Sequence, residues 1–487
     1  MDLIELLRWS EGKTLEFKRD LSSPEGVLRS IVAFANTAGG ILLIGVEDRT
    51  RRVCGTENPL LLEERLASMI ADNIRPHLVP DLEILPWRRT QVVALQVYPS
   101  PSRPHFVKAF GPEAGVFVRI GSTNRRADRE LIAELGRLTR NESFDEQPMP
   151  ALNSEAIDFR AASECFHPVR KLKRSDLPTL RLTVKHQGRW VPTIGGILLF
   201  GKNREAHFPD AWIQAGRFEG TSRNHILDTA EIRNLPMRAI EETIAFIRRN
   251  TSREAVIGEV HRTDRWTFPP AAVREAIVNA VVHADYSQRG APIRVSIFSD
   301  RMEVENPGLL PFGLTVEDIQ KGLSKLRNRV IGRVFHALGL IEQWGSGIRR
   351  MTAACHEAGL ADPLLEEIGM HFRVTLFSQR RKGPTLDDID QTILRALGKG
   401  HGLSTHEIAA RIQKSARATR TRLLALVERA LVVEVGTGLK DPRRRYFLAE
   451  AKPVRKFFLP FLNAQTTPQK KIADQKLRLR AKQESPE

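Results

Sequence analysis

The stretch from Arg274 to Tyr286, REAIVNAVVHADY, constrains this chain more than any other. Glu275, Asn279 and His283 fall at i, i+4 and i+8, one stripe of a helix, while Ile277, Val278, Val281 and Val282 fall on the other side. Apolar packing walls in a helix of this kind. A buried Glu, Asn or His without a partner costs roughly 1 to 3 kcal/mol or more. Two arrangements avoid that cost: the internal hydrogen-bond network of a core helix, or a bound ligand. The spacing alone leaves both open.

At 487 residues the chain exceeds one ordinary core, so about three or four domains are expected. A hydrophobic content of 41% is enough to fold them. No run of about 18 apolar residues occurs, and MDLIELLRWSEGK lacks the basic-then-apolar order of a signal peptide, so the expectation is a soluble, cytoplasmic protein with no membrane partner. Cys54, Cys165 and Cys355 are odd in number and far apart, which suits a reducing compartment and gives no zinc-type spacing. The formal net charge of +17 points to a polyanionic partner. Between Ser404 and Tyr446 there are ten Lys/Arg against four Asp/Glu, and between Lys452 and Glu487 nine against three, so most of the excess lies at the C-terminal end.

Residues 1–138 read as an α/β unit. SEGKTLEFKRD leads into a helical stretch, GVLRSIVAFANTAGG, that ends at a double glycine, and ILLIGVED follows as a buried strand. With RPHF at 103–106 and VFVRIGSTNRRAD at 116–128, this order resembles the Schlafen AlbA-like domain. The resemblance implies nucleic-acid binding and, in some members, metal-dependent RNA cleavage by three acids, whose matching positions are Glu11, Glu16 and Asp48. Three converging carboxylates repel unless divalent cations or Lys/Arg intervene. The alternative pairs Glu11 and Glu16 with Lys13, Lys18 and Arg19 and leaves Asp48 capping a turn. Arg119, Arg125 and Arg126 flank a Gly-Ser-Thr-Asn turn and are expected to contact phosphate oxygens, unless they only decorate an exposed loop.

TRNESFDEQPMP at 139–150 reads as a linker and 151–235 as a connecting α/β region, in which the apolar run TIGGILLFG resembles a strand found ahead of the central domain in related proteins. The central domain, 236–378, holds the amphipathic PMRAIEETIAFIRRN, the opening helix and PIRVSIFSDRMEVENPG, a β-hairpin turning at Ser299-Asp300-Arg301.

The Glu-x-x-x-Asn spacing followed by His-x-Asp-Tyr resembles the nucleotide-binding helix of the GHKL ATPases. It is closest in pattern to the divergent GHKL domain that follows a Schlafen AlbA-like domain in prokaryotic RecG-like proteins and transcriptional regulators. The resemblance implies an α/β sandwich binding ATP and Mg2+, with Asn279 as the metal ligand and Glu275 as the group that orients the attacking water in hydrolytic members. His283 and Gly308 belong to the implied cofactor-binding set. Where the ATPases carry Asp-x-Gly, this chain has Asn306-Pro307-Gly308, so Asn306 would accept from the adenine amino group without a charge. In SKLRNRVIGRVFHALGLIEQWGSGIRRM, Arg327 and Asn328 fall in the implied lid, and Gly345 and Gly347 would let backbone amides approach phosphates at a helix N-terminus. Otherwise these are a solvated helix start and ordinary turn glycines.

Residues 384–448 read as three helices and a two-stranded wing, similar to a winged helix-turn-helix, with Ser404 and Glu407 forming a capping box. Leu423, Leu424, Leu426 and Val427 are expected to pack inward. Arg417, Thr419, Arg420 and Arg422 would face a major groove, and Arg443, Arg444 and Arg445 of the wing would grip phosphate. The basic tail, 449–487, is expected to be disordered. The fold class is thus multidomain α+β. The leading function is a nucleotide-responsive DNA-binding protein, a transcriptional regulator. The alternatives are a metal-dependent nuclease acting on RNA, for instance in phage defence, and a degenerate GHKL fold that binds nothing. Winged helices often span half-sites as homodimers, but no dimer surface is marked in the sequence.

Overall fold

The structure, a computed structural model, describes residues 1–448 apart from 49, 252, 258–261, 343–344, 379–386, 399–401, 430 and 436–443, and gives backbone alone for 253–257 and 262–265. Arg443 and the tail 449–487 therefore lie outside the described residues. The chain divides into two compact units, one of residues 1–100, 105–125 and 386–487, the other of 101–104 and 126–385.

In the first unit a four-stranded sheet runs in the order Leu15–Lys18, Gly40–Ile44, Thr90–Val97, Asp81–Trp87, parallel between the first pair and antiparallel thereafter. All of Gly40–Ile44 is buried, as a continuous apolar strand covered on both faces should be. The helix Pro24–Asn36 packs on one face, with Val27, Ile31 and Phe34 in the core. Its last residue, Asn36, is tied down by bonds to the carbonyls of His105 and Phe117. At the C-terminal end three helices, Asp388–Leu397, Thr405–Ile412 and Ala416–Glu428, precede the antiparallel strands Val432–Val435 and Arg445–Leu448. Ser404 and Glu407 make the expected capping box. Leu423 and Leu426 are buried, but Leu424 is 39% exposed, because it sits one residue off the inward stripe. Val433, Val435 and Phe447 share a core with Leu3, Leu6 and Leu7.

The second unit is organised on a six-stranded sheet ordered Ile226–Ile232, Ile213–Phe218, Ile293–Ile297, Arg301–Pro307, His371–Phe377, Leu364–Ile368. Its first two strands come from the segment expected to be only a connector. Ile213–Phe218 pairs in parallel with Ile293–Ile297, and the other pairs are antiparallel. Val295, Ile297, Met302 and Val304 alternate into the core that also holds the helices Pro236–Arg249 and Pro270–His283. On the opposite face Glu303 and Glu305 are buried beneath Arg223, Arg301 and Arg373.

Two expectations fail here. TIGGILLFG is a helix, Ile194–Phe200, opened by Thr193, whose hydroxyl accepts from the Gly196 amide. A side chain at Gly196 would overlap the Leu182 carbonyl, so this glycine permits close helix packing. The polar segment 139–150 is not a free linker either. Asp145 is fully buried and accepts the amides of Arg329, Val330 and Ile331, capping the helix Arg329–Ala337.

Candidate functional site

The helix Pro270–His283 begins with proline in its first turn, where no amide partner is required, and ends against Asn328. The buried Asn328 amide donates to the carbonyls of Val282 and Ala284 at 2.9 and 2.7 Å. Asn328 thus closes the helix from inside the fold and is not a lid residue, as the sequence suggested. Arg327 is corrected in the same way. Its guanidinium is bound to Glu134 and to the Leu309 carbonyl, which consumes the charge that a phosphate would have required.

Glu275, Asn279 and His283 line one side of a cleft that encloses about 1020 Å³ with its open mouth included. Leu309, Leu314, Ile319, Phe372 and Val374 give it an apolar interior, and its charged lining comprises Glu275, Glu342 and Arg350, which bond to one another, and Lys325, whose charged neighbours are Glu134, Arg103, Arg327 and Arg329. The Asn279 amide donates from Nδ2 to Glu275 Oε1 at 3.1 Å, leaving Oδ1, the atom that can ligate a cation, outside that bond. Glu275 Oε2 accepts from Arg350 Nη2 at 3.2 Å, and Arg350 Nη1 lies 2.5 Å from Glu342. Part of the polar stripe is therefore satisfied by protein atoms, yet the stripe faces an open cleft.

His283 Nδ1 is buried with no hydrogen-bond partner among the described residues. Burial, helped by the Arg327 charge, pushes the imidazole down to about 4, so it is neutral at pH 7. Asn306 also lines the cleft. Its Nδ2 donates to the Pro307 carbonyl, which leaves Oδ1 as an acceptor. Gly308 is not on the cleft wall. Its φ of +97° and its approach to Asp285 Cβ, 2.8 Å from where its own Cβ would stand, account for the glycine. Gly345 and Gly347 do line the cleft, but protein atoms explain them as well. A Cβ at Gly345 would overlap the Gly322 carbonyl, and one at Gly347 would overlap Glu275 Oε1.

The sequence reading missed Lys325, Glu342 and Arg350. Lys325 stands exposed beside the cleft, and its hydrogen bond reaches the Phe312 carbonyl at 3.4 Å. Arg350 falls in IRRM, three residues past Gly347, so the signal was a cation in the first turn of a helix already noted for its glycines.

In the first unit Glu11, Glu16 and Asp48 do come near one another. Glu11 is held above the usual carboxylate range, first by burial, with Asp48 and Glu16 adding to the shift against a 2.6 Å bond from the Phe17 amide. Glu16, however, is buried between Arg119 Nη1 and Lys18 Nζ, each at 2.5 Å, and accepts from Ser30 at 3.0 Å. Among the described residues no group of three His, Cys, Asp or Glu side chains is placed to hold a metal ion. The intervening cations are the protein's own, which corrects the expected metal triad. Arg119 is also corrected: 1% exposed, it binds Glu16, Asn124 and the Gly12 carbonyl and stacks over Phe34, so phosphate cannot reach it. Arg125 and Arg126, on the strand Thr123–Arg126, are exposed.

On the helix Ala416–Glu428, Arg417 and Arg420 are exposed, whereas Thr419 is buried and donates to the Ser415 carbonyl. Arg422 is engaged by Asp387 at 2.6 Å and Asp390 at 2.9 Å. Arg444 is buried against Glu434 at 2.8 Å, while Arg445 is exposed and donates to the Gly402 carbonyl. Thr419, Arg422 and Arg444 are thus parts of the fold and not open contacts. No helix among the described residues is long and apolar enough to cross a membrane.

Two family models match this chain: "Schlafen, AlbA_2" over residues 11–128 and "Putative ATP-dependent DNA helicase recG C-terminal" over residues 290–376. No curated protein matches it. One similar solved structure is the DIP2311 protein from Corynebacterium diphtheriae, 22% identical over 90% of this chain and 92% of that one, with a TM-score of 0.42. Another is the N-terminal domain of a RecG-related protein from Nitrosomonas europaea, titled "Putative ATP-dependent DNA Helicase", 28% identical over 26% of this chain and 90% of that one, with a TM-score of 0.22.

Proposed function

We propose that this chain, which carries a Schlafen AlbA_2 domain and a RecG-C-terminal-like, ATPase-like domain, is a nucleotide-responsive DNA-binding protein that serves as a transcriptional regulator. The observation that carries the reading is the cleft of the second unit. It joins an apolar interior to a polar wall where Asn279 and Arg350 meet through Glu275, and Lys325 also lines it. The cleft helix lies outside the family match, so its part in the site rests on geometry.

The residues suit ATP with Mg2+. Asn279 Oδ1 is a neutral oxygen of the kind that completes a largely hydrated magnesium shell, and the metal, when bound, would neutralise phosphate charge. Lys325 pairs with no carboxylate among the described residues and can neutralise a phosphate oxygen. Asn306 Oδ1 is an acceptor suited to an exocyclic amino group, which favours adenine over guanine at that edge. Neutral His283 adds no charge to the apolar wall.

Nucleic-acid contact falls to the exposed Arg125, Arg126, Arg417, Arg420 and Arg445, which would grip backbone phosphates. The three helices and two strands at 388–448 are read as a winged helix in this role. The test is duplex-DNA affinity at fixed salt with and without Mg2+-ATP. A change of about fivefold or more is expected, the lower end of usual coupling between sites. Indifference to nucleotide would reject the coupling.

A further inference from the structure

Resting on the nucleotide reading of the cleft, we propose that Arg350 is the residue that binds the phosphate chain and that Glu275 holds its place until the ligand arrives. Arg350 is 44% exposed at the cleft wall, unlike Arg119 at 1% and Arg327 at 7%. It meets Glu275 through a single bond of 3.2 Å and meets Glu342, itself 56% exposed, through the other arm. Neither pairing is the parallel two-bond fork with which a guanidinium holds a carboxylate or phosphate most strongly.

The Glu275 carboxylate also fills the space over Gly347, where any Cβ would overlap Oε1. It thereby stands at the first turn of the helix Gly347–Glu357, whose N-cap Ser346 makes no side-chain bond to the helix amides and donates instead to Glu342 at 3.0 Å. Glu275 thus shares the arginine with Glu342 and also stands beside the first residue of the helix, the two features of the cleft best suited to an anion. A triphosphate, with more charge and more acceptor oxygens, competes for both. When it wins, Arg350 turns from Glu275 to the phosphates, and Glu275 keeps only the Asn279 amide. No covalent change is involved.

The consequence runs against the usual result of altering a residue in a binding site: neutralising Glu275 should tighten binding. Calorimetric titration of the full chain with Mg2+-ATP is expected to show Glu275→Gln binding more tightly than wild type, by about fivefold, and Arg350→Ala binding at least about tenfold more weakly. In the double variant the gain from Glu275→Gln should vanish, because no arginine is left to release. Circular dichroism of each variant checks that it is folded, and Arg350→Lys, which keeps the charge without the fork, should fall between wild type and Arg350→Ala. A Glu275→Gln chain that binds no more tightly than a binding-competent wild type overturns the exchange, as does an equal gain in the Arg350→Ala background. If neither wild type nor Glu275→Gln binds ATP, the nucleotide reading itself fails and the exchange fails with it.

Discussion

Glu16 in the first unit and Glu275 in the second are each buried and each paired with an arginine, yet the two pairs differ in what surrounds the cation. Arg119 is enclosed, bonded to Glu16, Asn124 and Gly12, and stacked on Phe34. Arg350 is nearly half exposed on the wall of a cleft. In the first case the pair is structural, because separating it would strand a charge away from water. In the second, solvent and incoming ligand can reach the cation, so the pair can exchange. Carboxylates that look equivalent in sequence are thus divided by whether their partner can leave.

The largest effect that tests this contrast is on Arg119. Arg119→Ala should cost roughly 3 to 5 kcal/mol of stability in urea denaturation, since Glu16 would lose its buried counter-ion. A cost under about 1 kcal/mol would put the two pairs in the same class. Next is the pH dependence set by His283. Its imidazole titrates near 4 in the fold and near 6.5 unfolded, so between those values the unfolded chain binds more protons. Stability present above pH 6.5 should therefore fall as pH drops through 4, by up to about 3 kcal/mol, and His283→Gln should flatten that part of the profile. An identical profile in the variant would show that His283 is charged in the fold. Asn328→Ala, which strips two carbonyls at the end of the cleft helix of their donor, should cost roughly 1 to 3 kcal/mol by the same denaturation assay. The smallest change is expected at Arg350, where alanine should cost less than about 1 kcal/mol of stability. A large loss there would mean that the arginine builds the fold and cannot be spared for a ligand.

The parts legible in the sequence were those set by local pattern. The polar stripe at 275, 279 and 283 found a helix facing a cleft, and the alternation from Ile293 to Val304 found a hairpin, though Arg301, placed in its turn, begins the second strand. Ser404 with Glu407 marked the start of a helix by its capping chemistry. Long-range partners were not legible. Arg119 and Glu16 are 103 residues apart, and Arg327 and Glu134 are 193 apart, so nothing nearby revealed that these arginines were already engaged. TIGGILLFG misled for a different reason: a short run that is apolar at nearly every position has no period, and packing against Leu182 and Val330 decides its conformation. Gly345 and Gly347 were located correctly on the cleft, but the atoms that require them to be glycine belong to Gly322 and Glu275, which lie elsewhere in the chain.

The most direct measurement is Mg2+-dependent ATP binding by the purified full chain, with Asn279→Ala beside it. The account predicts saturable binding that weakens at least about tenfold when magnesium is chelated or when Asn279 is replaced, the size expected for losing one well-placed polar ligand in a desolvated site. Absence of binding, or binding indifferent to both magnesium and Asn279, would contradict the claim that the stripe on this helix waits for a metal-bound nucleotide.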